Sequence, residues 1–219
     1  NGTAGNDSLF IKGELLSSEL KGGSGDDRIT SSTSVSASTV GGSLGSDTLL
    51  LEGVVLASSV YGGGSSTKMS TGDSADRIIL SSSASGSYIQ GDAGHDTLSV
   101  ATTAKGATDI KGGLGDDSIN VGTVLSSSTV SGNKGSDTIN VGSMKSATVY
   151  GAGASNNTID GADSIYVNGT ASAAFIQGLV GSDSIRITGA INKTTLKGGS
   201  DADYISSAGT LSSSAVYGN

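Results

Sequence analysis

The chain has 219 residues with no cysteine, proline or tryptophan, and its formal net charge at pH 7 is −8. Disulfide frameworks and thiolate metal sites are therefore excluded, and the 12 lysines and arginines form no cluster that would suit a nucleic acid. Thirty-six glycines, 34% hydrophobic residues and only two Phe favour a thin aliphatic core over that of a large globular domain.

One short motif recurs along the whole chain. Its template is G-x-x-G-x-D-x-[I/L], and the clearest copies lie at residues 22–29, 42–49, 112–119, 132–139 and 178–185. Successive template aspartates are mostly 20 residues apart, which predicts a repeat architecture with one motif in each coil of a solenoid. The template aspartates are Asp7, Asp27, Asp47, Asp76, Asp96, Asp117, Asp137, Asp163, Asp183 and Asp203.

Hydrophobic residues recur at fixed distances from each template aspartate. The second residue after it is Ile or Leu in all ten coils, and the fourth is aliphatic in most, as in Leu49 and Leu51. This alternation predicts a strand with one buried face. The eighth and thirteenth positions, such as Val55 and Val60, predict two more inward side chains. The thirteenth lies in a Ser/Thr-rich strand that we expect to end at the next turn glycine.

The spacing is interrupted in two places. Polar, glycine-rich insertions at residues 62–70 and 151–157 are expected to loop out without breaking the stack. Two coils are irregular: in one, Ile110 comes one place late, and in the other, Lys145 falls at the eighth position and Val149 comes one place early. The sequence therefore predicts an all-β, parallel β-solenoid of about ten coils of 20 residues. It forms one unit over residues 1–219, which we interpret as a fragment of a longer repeat array.

The repeated turn has the chemistry of a cation site. Glycine leaves its backbone carbonyl unobstructed, and Ca²⁺ prefers six to eight oxygen ligands from carbonyls and carboxylates. Stacked aspartates about 5 Å apart would repel one another by roughly 3 kcal/mol per pair at an effective dielectric of about 20. A divalent cation between coils would turn that repulsion into a cross-link, and we expect folding to depend on it.

The repeated turn resembles the calcium-binding repeat of RTX, or haemolysin-type, proteins, whose motif is G-G-x-G-x-D-x-hydrophobic. The resemblance implies a right-handed β-roll in which turn aspartates and turn carbonyls bind Ca²⁺, type I secretion, and folding after export. The longer coil, with a single motif, is more like bacterial surface-layer and oscillin-like cell-surface proteins. The metal ligands it implies are Asp7, Asp27, Asp47, Asp96, Asp117, Asp137, Asp183, Asp203, Asp26, Asp116, Gly22, Gly42, Gly112, Gly132, Gly178 and Gly198.

Two template aspartates fit less well. Asp76 and Asp163 both follow an insertion and lack the first glycine of the motif, so they are the weaker metal candidates. A different interpretation of the whole row is that each aspartate caps its turn by a hydrogen bond to its own backbone. The only histidine, His95, is expected to be a solvated turn residue.

The motif pattern favours a calcium-binding, extracellular structural role in a bacterial surface layer, fibril or adhesin, with self-association into an array. Binding of carbohydrate or ice by an outer strand face is the main alternative, and a non-catalytic tail of a secreted enzyme is another. We expect no catalysis, because the repeated carboxylates share one environment and catalytic acids and bases need different ones. We expect no nucleic-acid partner and no membrane span, since no run of about 18 apolar residues occurs.

Overall fold

The fold is that of a computed structural model, which describes residues 1–64, 73–153 and 159–218. These residues form 28 short strands and no helix, and consequently no helix that is long and apolar enough to cross a membrane. The strands stack as a parallel β-solenoid of about ten coils, so the predicted all-β solenoid class is confirmed.

Most coils contain three strands, one after each change of direction. The first five coils contain β1 (Ser8–Ile11), β2 (Leu15–Leu16), β3 (Glu19–Ser24), β4 (Arg28–Ser31), β5 (Val35–Ser36), β6 (Thr39–Leu44), β7 (Thr48–Leu51), β8 (Val55–Leu56), β9 (Ser59–Tyr61), β10 (Arg77–Leu80), β11 (Ala84–Ser85), β12 (Tyr88–Ala93), β13 (Thr97–Val100), β14 (Thr103–Lys105) and β15 (Asp109–Leu114).

The later coils follow the same plan, except that the first two strands are fused in coils six and seven. Their strands are β16 (Ser118–Ser126), β17 (Thr129–Lys134), β18 (Thr138–Lys145), β19 (Thr148–Ala152), β20 (Ser164–Val167), β21 (Ala171–Ser172), β22 (Phe175–Val180), β23 (Ser184–Ile187), β24 (Ile191–Asn192), β25 (Thr195–Ser200), β26 (Tyr204–Ser207), β27 (Leu211–Ser212) and β28 (Ala215–Tyr217).

The third strands form one ten-stranded parallel sheet, from β3 to β28 in chain order, and the remaining strands form an 18-stranded sheet. The stack continues past both insertions, because β7 pairs with β10 and β18 pairs with β20. Parts of the insertions, residues 65–72 and 154–158, lie outside the described residues.

The core consists of like residues stacked on like residues. The second position after each template aspartate forms one continuous column, in which Leu49 lies between Ile29 and Ile78 in strict register. In a middle coil all four predicted inward positions are fully buried: Leu49, Leu51, Val55 and Val60. Adjacent parallel strands are about 4.8 Å apart, so each column places aliphatic side chains in van der Waals contact along the axis.

Two details of the strand pattern differ from the prediction. The third strand does not end at the turn glycine but runs through it, as in β3, where Gly23 pairs with Ser43 of the next coil. At the eighth position of coil seven the column contains Met144, which stacks on Leu125 and is 1% exposed. Lys145 points outward. A register shift between Val121 and Val124 absorbs the missing residue, so that the longer apolar side chain is buried and the charge is not.

The corner before the third strand is closed by a ladder of hydroxyl groups. The backbone turns there through a residue with positive φ, such as Ala57 at 46°. The residue that follows, Ser58, accepts the Ser38 N–H through its Oγ at 3.1 Å and donates to the Leu56 carbonyl at 2.7 Å. Equivalent Ser or Thr residues repeat this arrangement in most coils, which accounts for the Ser/Thr enrichment before the third strand.

Candidate functional site: a buried aspartate ladder

The template aspartates form a single row along one edge of the solenoid. In each coil from the second to the tenth, Oδ1 accepts a hydrogen bond from the backbone N–H of the template aspartate one coil earlier, at 2.6–3.0 Å. The carboxylate therefore caps its neighbour's turn rather than its own. Only Asp7 accepts from its own turn, where the Thr3 N–H donates to Oδ2 at 3.0 Å.

The second oxygen of these carboxylates is left without a partner. Within the described residues, Oδ2 has no hydrogen bond and almost no solvent contact in nine of the ten ladder members. Most of the side chains are almost completely buried; Asp117, for example, is 3% exposed. The nine are Asp27, Asp47, Asp76, Asp96, Asp117, Asp137, Asp163, Asp183 and Asp203.

The first glycine of each motif lies directly against this unpartnered oxygen. A Cβ built on Gly112 would overlap Asp117 Oδ2 and would lie 2.6 Å from the carbonyl oxygen of Gly132 in the next coil. A carboxylate oxygen and a carbonyl oxygen therefore line the same spot, which no side chain could occupy. The other glycines in this position are the predicted Gly22, Gly42, Gly132, Gly178 and Gly198, together with Gly2, Gly62, Gly91 and Gly151, which are not among the predicted ligands.

The two weaker candidates are full members of the ladder. Asp76 Oδ1 accepts the Asp47 N–H at 2.6 Å, and Asp163 Oδ1 accepts the Asp137 N–H at 2.8 Å. Their first glycines are Gly62 and Gly151, which precede the insertions. Each insertion thus separates the first part of a motif from its aspartate, which is why spacing alone could not pair them.

Burial raises the pKa of the ladder carboxyls, because desolvation disfavours their charged form. Neighbouring N–H donors lower these pKa values and neighbouring ladder carboxylates generally raise them, but desolvation dominates. The pKa is raised to about 9 for Asp76, about 8 for Asp117 and Asp163, about 7 for Asp137 and Asp183, and about 6 for Asp47 and Asp96. The carboxyls whose pKa lies above 7 carry a proton at neutral pH unless a cation takes its place.

Asp26 and Asp116, the other predicted carboxylate ligands, lie in a separate ladder on the exposed flank of the turn. Asp26 Oδ1 accepts the Ser46 N–H at 2.9 Å, and Asp116 Oδ1 accepts the Ser136 N–H at 2.8 Å. His95 belongs to the same ladder, since its Nδ1 accepts the Asp116 N–H at 2.9 Å. These side chains are open to solvent and differ from the buried row.

The donor set of the buried row consists of hard oxygens. No three acidic or histidine side chains converge on one point in the described ranges, so an ion there would need backbone carbonyls as well as carboxylates. The three ion pairs among the described residues are Lys21–Glu19, His95–Asp116 and Lys111–Asp109, and none of them includes a ladder carboxylate. Unpartnered Oδ2 atoms beside turn carbonyls therefore fit Ca²⁺, which prefers mixed carboxylate and carbonyl ligation.

Comparisons with protein-family models, with curated proteins and with solved structures gave no match for this chain. Its function is therefore inferred from the chemistry of the turn and the shape of the solenoid.

Proposed function

We propose that this chain is a segment of an extracellular bacterial structural protein, a rod whose stiffness depends on a row of Ca²⁺ ions bound by the aspartate ladder. The observation that supports this most directly is the set of nine buried Oδ2 atoms that have no partner in the described residues. A native protein seldom leaves a buried polar atom unsatisfied, so a repeated orphan atom points to a group that binds there.

The negative charge of the ladder carboxylates has to be balanced, and a divalent cation does this better than solvent or a basic side chain. Carboxylates about 5 Å apart repel by roughly 3 kcal/mol per pair at an effective dielectric of about 20, and the described residues supply no lysine or arginine to the row. One Ca²⁺ between successive coils neutralises two carboxylates and joins the coils. Because the unfolded chain has no such site, binding energy becomes folding energy.

The rest of the proposal follows from this dependence on calcium. A rod that folds when Ca²⁺ is abundant suits a protein that is secreted first and folds outside the cell. The resemblance to RTX proteins implies that secretion follows a type I route. Stacked coils that are rich in Ser and Thr suit a surface layer, a fibril or an adhesin stalk in which copies associate into an array. The rod contributes shape and rigidity, and catalysis plays no part in its role.

A pair of adjacent aspartates tests the ligand assignment. Asp117→Asn keeps the Oδ1 acceptor for the Asp96 N–H but replaces the orphan oxygen with an amide nitrogen. We expect calorimetric titration at pH 8 to show fewer bound Ca²⁺ ions or at least about 10-fold weaker binding at the affected sites.

The matched control is Asp116→Asn, which removes the same charge one residue away on the exposed flank. We expect its calcium isotherm to overlay that of the wild type. Equal losses in both variants would assign the effect to overall charge, and an unaltered isotherm in Asp117→Asn would show that the ladder does not bind the ion.

A further inference from the structure

An acidic residue occurs three places before the template aspartate in only two coils. These residues are Asp73 and Asp160, and each follows one of the two insertions. In other coils the same place is occupied by residues such as Ser24, Leu114 and Lys134. Both insertions thus end in the sequence Asp-x-Ala-Asp, a feature outside the repeat template.

In uninterrupted coils a backbone carbonyl fills the role of these side chains. The Gly115 N–H donates to the Lys134 carbonyl of the next coil at 2.8 Å. After the second insertion, the Gly135 N–H donates instead to Asp160 Oδ1 at 2.8 Å. One oxygen of Asp160 therefore replaces a carbonyl that the insertion has displaced, while its second oxygen, Oδ2, is buried without a hydrogen-bond partner among the described residues.

Asp73 lies in a different setting, because the side chain of a second acid lies against the same glycine. The next coil has Asp92 directly after the first glycine of its motif, at a position that is glycine in four coils, and Asp92 adopts a φ of 85° and is 1% exposed. A Cβ built on Gly63 would overlap Asp73 Oδ2 and would lie 2.9 Å from Asp92 Cβ, so both side chains lie against one point. At the second insertion the corresponding residue of the next coil is Leu179.

Asp92 is held in place by side chains that satisfy only one of its oxygens. Gln90 Nε2 donates to Asp92 Oδ1, and the Tyr88 hydroxyl donates to Gln90 Oε1. Tyr88 is fixed in turn by its ring contact with Tyr61 and by the Lys111 ammonium above the ring, 5.0 Å from the centroid. The relay orients the carboxylate and leaves Oδ2 free.

Three buried oxygens of these two side chains have no hydrogen-bond partner among the residues that the structure describes: both oxygens of Asp73 and Oδ2 of Asp92. The backbone amides of Ser74, Gly45 and Ala93 lower the pKa of Asp73, but none of them makes a hydrogen bond to it that meets the distance and angle limits. No lysine, arginine or histidine of the described ranges pairs with either side chain. Burial, together with the neighbouring Asp73 carboxylate, raises the pKa of Asp92 to about 7, and burial raises the pKa of Asp73 to about 6.

We propose that Asp73 and Asp92 bind a divalent cation of the Ca²⁺ class, at a site separate from the ladder, which fastens the chain after the first insertion to the following coil. Two carboxylates with three free oxygens, completed by backbone carbonyls and water, supply the hard ligands that such an ion needs. The site is specific to this insertion, because a leucine replaces the second carboxylate at the other.

The test is a calorimetric Ca²⁺ titration of the full chain at pH 8, comparing wild type, Asp92→Asn, Asp73→Asn and Asp160→Asn. The first two variants are expected to bind one ion fewer than the wild type, or to bind that ion at least 10-fold more weakly. Asparagine is compatible with the backbone at Asp92, since Asn133 adopts a φ of 82° at the same place in its own motif. Asp160→Asn removes an equivalent charge beside Leu179 and is expected to leave the number of ions unchanged.

The outcomes separate this site from the ladder. If the ladder binds no calcium, the wild type still binds one ion and Asp92→Asn binds none. Unchanged stoichiometry and affinity in Asp73→Asn and Asp92→Asn would overturn the proposal. An equal loss in Asp160→Asn would overturn it as well. An acid three places before the template aspartate would then support the ladder, and no separate site formed by Asp73 and Asp92 would be needed.

Discussion

Replacing Gly42 with alanine is expected to destabilise the solenoid by about 3 kcal/mol or more, one of the largest effects of any single methyl group in the chain. The new Cβ would overlap both Asp47 Oδ2 and the carbonyl oxygen of Gly62. The carbonyl belongs to the backbone of the next coil and Asp47 is 1% exposed, so neither can move without breaking the ladder. Urea denaturation followed by circular dichroism measures the change.

The adjacent residue provides the control. A Cβ on Gly41 would lie 3.7 Å from the carbonyl oxygen of Gly63, which is an ordinary van der Waals contact. The residues in register with Gly41 in the neighbouring coils, Lys21 and Tyr61, carry large side chains. Gly41→Ala is therefore expected to change stability by no more than about 0.5 kcal/mol. If the two variants prove equally stable, the close approach of glycine, carbonyl and carboxylate is not a constraint on the fold.

Without metal, the solenoid is expected to lose stability as pH rises. The ladder carboxyls have pKa values of about 6 to 9 in the folded chain, against 3.8 for an ordinary aspartate. A group whose pKa is raised by folding stabilises the folded state fully below its unfolded value, and this contribution disappears as pH rises through the folded value. The loss therefore extends over the interval from about pH 4 to pH 9.

Seven such groups make the effect large. One unit of pKa shift corresponds to about 1.4 kcal/mol, so a small part of the seven shifts already amounts to about 5 kcal/mol, equivalent to roughly 10–20 °C in melting temperature. Thermal melts in the presence of chelator from pH 4 to pH 9 measure it. Asp117→Asn, which cannot titrate, should flatten the slope. A metal-free melting temperature that stays constant or rises over this interval would contradict the assigned environment of the ladder.

The strand columns could be predicted because the repeat is close to strict. Ile29, Leu49 and Ile78 each lie two residues after an aspartate, and parallel stacking places equal positions on top of one another. The second irregular coil could not be predicted, since choosing Met144 over Lys145 requires a register shift whose advantage is the burial of an apolar side chain. The hydroxyl ladder was visible only as a Ser/Thr enrichment.

The candidate site was only partly predictable. The aspartates could be located from the sequence. The hydrogen bond that the Asp96 N–H donates to Oδ1 of Asp117 in the next coil could not be predicted, because spacing does not reveal which amides face a side chain. Asp73 and Asp92 were missed because both lie at positions that the template leaves open. An acidic residue directly after the first motif position, which no other coil has, was the signal that could have found Asp92.

The most direct test of the calcium ladder is the melting temperature of the wild-type chain at pH 8 and pH 4, with chelator, Ca²⁺ or Mg²⁺. Saturating a site at 100 times its dissociation constant adds about 2.7 kcal/mol, so two or more sites should raise the melting temperature at pH 8 by at least about 10 °C. At pH 4, where protons occupy the carboxyls, Ca²⁺ should change the melting temperature little. Mg²⁺ should change it little at either pH. A melting temperature at pH 8 that is the same with Ca²⁺ as with chelator would contradict the account and leave the ladder as a row of protonated caps.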